Sequence, residues 1–105
     1  MQITRRQTDD LVKRIVEAAH PLRIILFGSA ARGEAGTHSD IDVLVVVAEG
    51  EHRRRTAQII YRRLLGFGLP VDVVVATVED MEQYSDSPAL VYKAALTDGR
   101  ELYAA

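Results

Sequence analysis

The amino-acid sequence predicts an α/β fold in which helices pack on a small mixed β-sheet. Short apolar segments rich in branched residues alternate with longer segments whose apolar residues recur at helical spacing. The chain has 105 residues, 48% of them hydrophobic, which is enough for one core and too few for two ordinary domains. We therefore expect a single domain over residues 1–105.

The first element is predicted to be a helix over residues 4–19, whose apolar residues form one stripe. Either Thr4 with Gln7 or Thr8 with the acids that follow it can cap the start. Pro21 ends this helix, because proline cannot continue it.

Three short apolar segments are predicted to be strands. Residues 22–27 are bounded by a proline and a glycine. Residues 41–47 are apolar on both faces after Asp42, a pattern typical of a strand inside a sheet. The third strand covers residues 71–76.

A helix over residues 52–65 is predicted to join the second and third strands, with Gly66 as its C-terminal stop. The tyrosines of the chain are assigned packing or surface roles. The predicted buried stripe of this helix is Ala57, Ile60, Tyr61, Leu64 and Leu65.

Two helices are expected after the third strand. The first covers residues 77–84, begun by Thr77 with Asp80 three residues later, and the second covers residues 87–97 behind a Ser-Pro start. The tail at residues 102–103 is expected to pack back on the core.

The positions of polar residues predict the strand directions. The first strand runs into Gly28, whereas the second begins at Asp40, so a shared site makes these two strands antiparallel. The helix between the second and third strands implies a parallel, right-handed crossover.

Three aspartates gather at the predicted site. Asp40 and Asp42 leave the same face of a strand, with Cα atoms about 6.5–7 Å apart, and parallel pairing places Asp72 beside Asp42. Each aspartate taken singly is explained by a solvated strand end. Together, three carboxylates repel one another unless Mg²⁺ or Mn²⁺ binds them, so the combination indicates a cation site.

The Gly28-Ser29 turn follows the first strand directly and can begin a short helix with free backbone N–H groups, which favours phosphate binding. Taken by itself, the dipeptide is better explained by a plain strand-to-helix turn. The chain has no Walker loop, and its glycine spacing excludes a dinucleotide-binding fingerprint.

Composition excludes several classes of protein. A net charge of −2 disfavours a broadly basic nucleic-acid binder, and the lack of cysteine excludes disulfides, thiolate metal sites and a cysteine nucleophile. The polar N-terminus does not resemble a secretion signal, and no apolar run approaches about 20 residues, so we expect no membrane span and a cytoplasmic protein.

Arginines cluster in residues 53–63, whereas residues 79–101 lean acidic. The basic cluster is either a solvated helix face or a patch for an acidic partner protein or RNA.

The motifs resemble those of a known family. Residues 28–33 read G-S-A-A-R-G, residues 39–42 read S-D-I-D, and residues 71–74 read V-D-V-V. This pattern resembles the signature of the DNA polymerase β-like nucleotidyltransferase superfamily, and in particular its minimal nucleotidyltransferase (MNT) branch. The resemblance covers nearly the whole chain and implies the nucleotidyltransferase fold.

The resemblance also implies a two-metal site. Asp40 and Asp42 would bridge two Mg²⁺ ions, and Asp72 would ligate the ion that activates the acceptor hydroxyl or take the proton of that hydroxyl. The residues implied to bind the nucleotide are Gly28, Ser29, Arg32 and Ser39. For Arg32, a salt bridge that fixes the loop is an equally good role.

By this resemblance the chain transfers AMP from ATP to a hydroxyl, with a tyrosine of a partner HEPN-type RNase toxin as the acceptor in a type VII-like toxin–antitoxin module. One alternative is a non-catalytic antitoxin that acts by direct binding. Another is an adenylyltransferase for small molecules such as aminoglycosides, which in so short a chain requires a homo-oligomer to build the acceptor pocket.

Overall fold

The computed structural model describes residues 3–31, 40–84 and 99–105. The predicted helix over residues 87–97 lies outside these ranges. The elements, in chain order, are helix α1 (Arg5–Ala19), strand β1 (Arg23–Phe27), the short helix α2 (Gly28–Ala31), strand β2 (Ile41–Val47), helix α3 (Arg53–Arg63), strand β3 (Val71–Thr77), helix α4 (Val78–Tyr84) and strand β4 (Arg100–Ala104).

The four strands form one mixed sheet in the order β3-β2-β1-β4. Strand β1 is antiparallel to both β2 and β4, and β2 is parallel to β3. The predicted fold class and strand directions are therefore confirmed. Strand β4 was not predicted as a strand, because its sequence R-E-L-Y-A shows little apolar alternation and its partner lies far away in the chain.

Local signals set the ends of α1. Gln7 N–H donates to Thr4 Oγ1 at 3.1 Å, and Thr4 N–H donates to Gln7 Oε1 at 2.9 Å. This capping box satisfies two backbone donors at the helix start, so Thr4 is the cap. The helix ends where His20 adopts a left-handed conformation (φ 46°) before Pro21.

Helix α3 begins after His52, whose Nδ1 accepts a hydrogen bond from Arg55 N–H at 3.2 Å. Thr56 and Ile60 face the core, as helical spacing requires. The predicted stripe was wrong at its end: Tyr61 is 42% exposed and Leu65 is 78% exposed. Leu65 is exposed because α3 stops at Arg63 rather than at residue 65. Tyr61 lies inside the helix, and its hydroxyl contacts β3 at Asp72 and Val73.

The sheet is buried on both faces in its two central strands. Side chains alternate along a strand, so odd-numbered positions of β2 and β3 face α1 and α3. Even-numbered positions, including Asp42 and Asp72, leave the opposite face, where Val78 and Met81 of α4 pack. The larger of the two apolar clusters comprises Leu11, Ile15, Ile24, Leu26, Ile41, Val43, Val45, Val47, Ile60, Val73 and Val75.

Within the described ranges, no helix combines the length and the apolar character needed to cross a membrane.

Candidate active site

Strand register brings the predicted site residues to one end of the sheet. Parallel pairing sets Asp42 of β2 directly beside Asp72 of β3, on strands about 4.8 Å apart. Ile41 N–H donates to Pro70 O at 2.9 Å, which aligns the starts of both strands. Antiparallel pairing sets Phe27, the last residue of β1, opposite Asp42, and Asp40 lies exposed just before β2.

Gly28 lies against the Asp42 carboxylate. Its φ is +73°, a left-handed conformation that glycine adopts without strain. A Cβ built at this position would lie 3.3 Å from Asp42 Cγ and would overlap Oδ2. Only glycine therefore lets the chain turn out of β1 at this point and still leave room for the acid.

The electrostatic environment of Asp42 disfavours its negative charge. Partial burial raises the pKa of the Asp42 carboxyl, and the neighbouring charges of Asp72 and then Asp40 raise that pKa further. The three carboxylates thus act on one another, and a cation among them would relieve their repulsion.

Asp72 is exposed at the edge of the sheet, where a residue of α3 contacts it. The Tyr61 hydroxyl lies 3.3 Å from Asp72 Oδ1. The same hydroxyl accepts a hydrogen bond from Val73 N–H at 2.8 Å. Sequence reasoning assigned Tyr61 to the buried stripe and missed this contact, because nothing in the spacing of residues 61 and 72 reveals how α3 packs on β3.

The donor set suits a hard divalent cation, since carboxylate oxygens are the ligands that Mg²⁺ and Mn²⁺ prefer. Among the described residues, no three histidine, aspartate or glutamate side chains already form a cluster able to hold a metal ion. Mg²⁺ is commonly held by one or two carboxylates together with substrate phosphates. The residues at this end therefore fit an ion that binds with a nucleotide, which would draw the carboxylates together.

The outcome for the predicted site residues differs from one to another. The structure brings Gly28, Asp40, Asp42 and Asp72 to the same end of the sheet. Ser29 lies in α2, immediately after Gly28. Arg32 and Ser39 fall outside the described residues, so their nucleotide-binding role stays a prediction.

Two open surface clefts of the described residues lie away from this end of the sheet. An open cleft of about 400 Å³ lies between the start of α1 and β4, near Arg5 and Arg100. Another, of about 390 Å³, lies at the start of α3. Neither cleft is lined by Asp40, Asp42 or Asp72. Strand register, rather than a cleft in the surface, brings these aspartates together.

Comparison with known proteins identifies the family. The family model described as "Nucleotidyltransferase domain" matches residues 8–100. The chain belongs to this nucleotidyltransferase family. The family predicted from the residue pattern is thereby confirmed, and none of the curated proteins matches the chain.

Solved structures share the fold of this nucleotidyltransferase domain. A chain of a toxin–antitoxin crystal structure with AMP-PNP superposes with a TM-score of 0.69 at 21% identity, covering 93% of this chain and 73% of that one. A mutant of the toxin–antitoxin MntA-HpeT gives a TM-score of 0.68 at 19% identity, with the same coverage of 93% and 73%. A complex of tri-AMPylated Shewanella oneidensis HEPN toxin with MNT antitoxin gives 0.63 at 19% identity, covering 95% and 71%.

Proposed function

We propose that this chain is a Mg²⁺-dependent nucleotidyltransferase that moves AMP from ATP to a hydroxyl group. The observation that carries the proposal is the pairing of Asp42 with Asp72 in register, with Gly28 pressed against the Asp42 carboxylate. Family membership supports the reaction class. The raised pKa of the Asp42 carboxyl supports it too, since repelling carboxylates favour a cation.

The chain's own residues take the following roles in this proposal. Asp40, Asp42 and Asp72 would hold two ions. When bound, these ions would neutralise triphosphate charge and stabilise the entering and leaving oxygens. Gly28 would let the triphosphate approach the backbone closely, as Ser29, Arg32 and Ser39 bind it. The roles of Arg32 and Ser39 are implied by the family resemblance alone.

The reaction is a single displacement at the α-phosphorus of ATP. Asp72 orients the acceptor hydroxyl and takes its proton as the hydroxyl oxygen bonds to that phosphorus. The bond from the α-phosphorus to the bridging oxygen breaks, and pyrophosphate leaves. Positioning and charge neutralisation would supply most of the rate acceleration.

We further propose that the acceptor is a tyrosine of a partner HEPN-type RNase toxin, which makes the chain a cytoplasmic antitoxin. Support comes from the structures of similar fold, one of which contains AMP-PNP and another a tri-AMPylated HEPN toxin bound to an MNT antitoxin. Direct nucleic-acid binding and membrane association are not part of this proposal.

The test mixes the purified chain with Mg²⁺, ATP and the protein encoded by the adjacent reading frame, and then measures the partner by intact mass. We expect the partner to gain whole AMP units. Asp42→Asn and Asp72→Asn should each lower the transfer rate by about 100-fold or more. Asp9→Asn, at an exposed acid on α1, is the matched control and should leave the rate unchanged.

Two results would contradict the proposal. One is a partner whose mass does not change under these conditions. The other is an Asp40→Ala/Asp42→Ala chain that neutralises the toxin at the same dose as wild type, which would favour an antitoxin that acts by direct binding.

A further inference from the structure

We propose that Tyr61 is a positioning residue for Asp72. Its hydroxyl holds Asp72 Oδ1, so that the other carboxylate oxygen stays directed to the ion and the acceptor. This inference rests on the proposed function, because it assigns Tyr61 a task in the same site.

Tyr61 reaches Asp72 around the edge of the sheet. Helix α3 packs on one face of the sheet, whereas Asp72 leaves the other face. In the part of the chain that the structure describes, β3 is an edge strand, so the backbone N–H of Val73 that points away from β2 has no strand to bond. The Tyr61 hydroxyl accepts this N–H at 2.8 Å, which fixes the oxygen next to Asp72.

The partners of the hydroxyl determine where its proton goes. Val73 N–H can only donate, so it occupies a lone pair of the Tyr61 oxygen. The single hydroxyl proton is then free to point at Asp72 Oδ1, 3.3 Å away, and an ionised carboxylate can only accept. Tyr61 is therefore a donor to Asp72, with its direction set by the backbone of the neighbouring residue.

Asp72 depends on this contact for its orientation. Among the described residues, Tyr61 is the one hydrogen-bond partner of the Asp72 carboxylate, and Asp72 is exposed, so an untethered carboxylate would sample several rotamers. The hydrogen bond is long and partly open to water, so its free-energy contribution is at the low end of the range for hydrogen bonds. We expect a change of about 3- to 10-fold in metal affinity when the hydroxyl is removed.

The test measures Mn²⁺ affinity by calorimetry in the presence of a non-hydrolysable ATP analogue, for wild type, Tyr61→Phe, Asp72→Asn and the double variant. Tyr61→Phe should weaken Mn²⁺ binding by about 3- to 10-fold in the wild-type background and have no further effect in the Asp72→Asn background. In the transfer assay, Tyr61→Phe should lower kcat and leave KM for ATP unchanged.

Tyr103→Phe is the matched control. Tyr103 lies on β4, at the opposite edge of the sheet, and packs against the core. Its substitution also removes one hydroxyl, and it should leave Mn²⁺ affinity and kcat at their wild-type values.

Separate results overturn the two proposals. If wild type binds Mn²⁺ normally and Tyr61→Phe binds it equally well, the positioning role is wrong while the proposed function stands. A Tyr61→Phe effect of equal size with and without the Asp72 carboxylate would also refute the positioning role, as would a loss of thermal stability alone. If the wild-type chain binds no Mn²⁺ and transfers no AMP, the proposed function fails and the positioning role fails with it.

Discussion

Gly28 shows how much of the site depends on the absence of one methyl group. The residue combines a positive φ with contact against the Asp42 carboxylate, so two independent constraints favour glycine. Among the described residues, Gly50, Gly66 and Gly68 carry only the first constraint. Gly50, with φ +88°, has no atom within 4 Å of the position that a Cβ would take.

We therefore expect Gly28→Ala and Gly50→Ala to cause similar backbone strain but to differ in their effect on ligand binding. Each substitution should cost about 1–2 kcal/mol of unfolding free energy, since each forces alanine into a left-handed conformation. Only Gly28→Ala should also displace Asp42 and abolish Mn²⁺-dependent binding of an ATP analogue. Urea unfolding and calorimetry measure the two effects.

Binding of the analogue by Gly28→Ala at wild-type affinity would show that the Gly28–Asp42 contact is dispensable. Gly50→Ala is the control for strain, because it changes a glycine that also has a positive φ but lies away from Asp40, Asp42 and Asp72.

The helices are held by hydrogen bonds at their ends as well as by apolar packing. Arg14 of α1 donates from Nη1 to Arg63 O at 2.9 Å and to Leu65 O at 3.0 Å, and so satisfies carbonyl groups at the end of α3. Its guanidinium also lies 5.8 Å from the centre of the Phe67 ring. Helix α3, which carries Tyr61, is thereby fixed relative to α1.

Helix α4 begins with a second capping box, as the sequence predicted. Thr77 N–H donates to Asp80 Oδ2 at 2.9 Å, and Asp80 N–H donates to Thr77 Oγ1 at 3.1 Å. Arg53 of α3 also donates from Nη1 to Asp80 Oδ2, at 3.0 Å. The pKa of the Asp80 carboxyl is lowered, chiefly by the Thr77 backbone N–H and further by the Thr77 side chain and Arg53.

This lowered pKa predicts the pH dependence of stability. The folded chain binds the Asp80 proton less tightly than the unfolded chain, so the stabilisation is present above the unfolded pKa of about 3.9. It is lost as the pH falls through the lower, folded pKa. Asp80→Ala should cost about 1 kcal/mol at pH 7 and less at acid pH, as measured by urea unfolding across that range.

Asp10→Ala is a suitable comparison for Asp80→Ala, since Asp10 pairs with Arg14 within one helix and caps no helix start. A cost for Asp80→Ala that stayed constant down to the lowest pH would contradict the capping role.

In the molecule as a whole, the pairing of β2 with β3 places two negatively charged side chains next to each other, and their repulsion opposes folding. The pairing of β2 with β3 that buries Val43, Val45 and Val73 also sets Asp42 beside Asp72. Apolar burial along the strands favours this register, whereas the repulsion between the acids at their ends opposes it. A site that needs clustered carboxylates is therefore built by a sheet that is stable for other reasons.

We accordingly expect Asp42→Asn to stabilise the metal-free domain. The raised pKa of the Asp42 carboxyl means that the folded chain binds this proton more tightly than the unfolded chain. Its favourable contribution is present below the unfolded pKa of about 3.9 and is lost as the pH rises through the folded pKa. In EDTA, Asp42→Asn should gain in stability relative to wild type as the pH rises, by urea unfolding.

When Mn²⁺ and an ATP analogue are present at saturating concentrations, the wild-type chain should instead be more stable than Asp42→Asn. A ligand at about 100 times its Kd adds about 2.7 kcal/mol to the wild-type chain, and Asp42→Asn should gain far less. A metal-free Asp42→Asn chain that is less stable than wild type at pH 7 would show that the carboxylate stabilises the fold.

Many features of this protein follow from signals that lie close together in the sequence. The Thr4–Gln7 and Thr77–Asp80 capping boxes each join residues three positions apart, and helical or alternating periodicity marks the long elements. The pattern of strand, helix and strand also determines that β2 and β3 are parallel, which puts Asp42 beside Asp72.

Other features exist only because distant elements pack together. The Tyr61–Asp72 contact depends on the angle at which α3 crosses the edge of β3, and β4 becomes a strand because the edge of β1 offers unpaired backbone groups. The close approach of Gly28 to Asp42 requires the turn and the strand to meet at the atomic level. Short-range preferences set the conformation of each segment, but side chains far apart in sequence come into contact only when burial of the shared core brings their segments together.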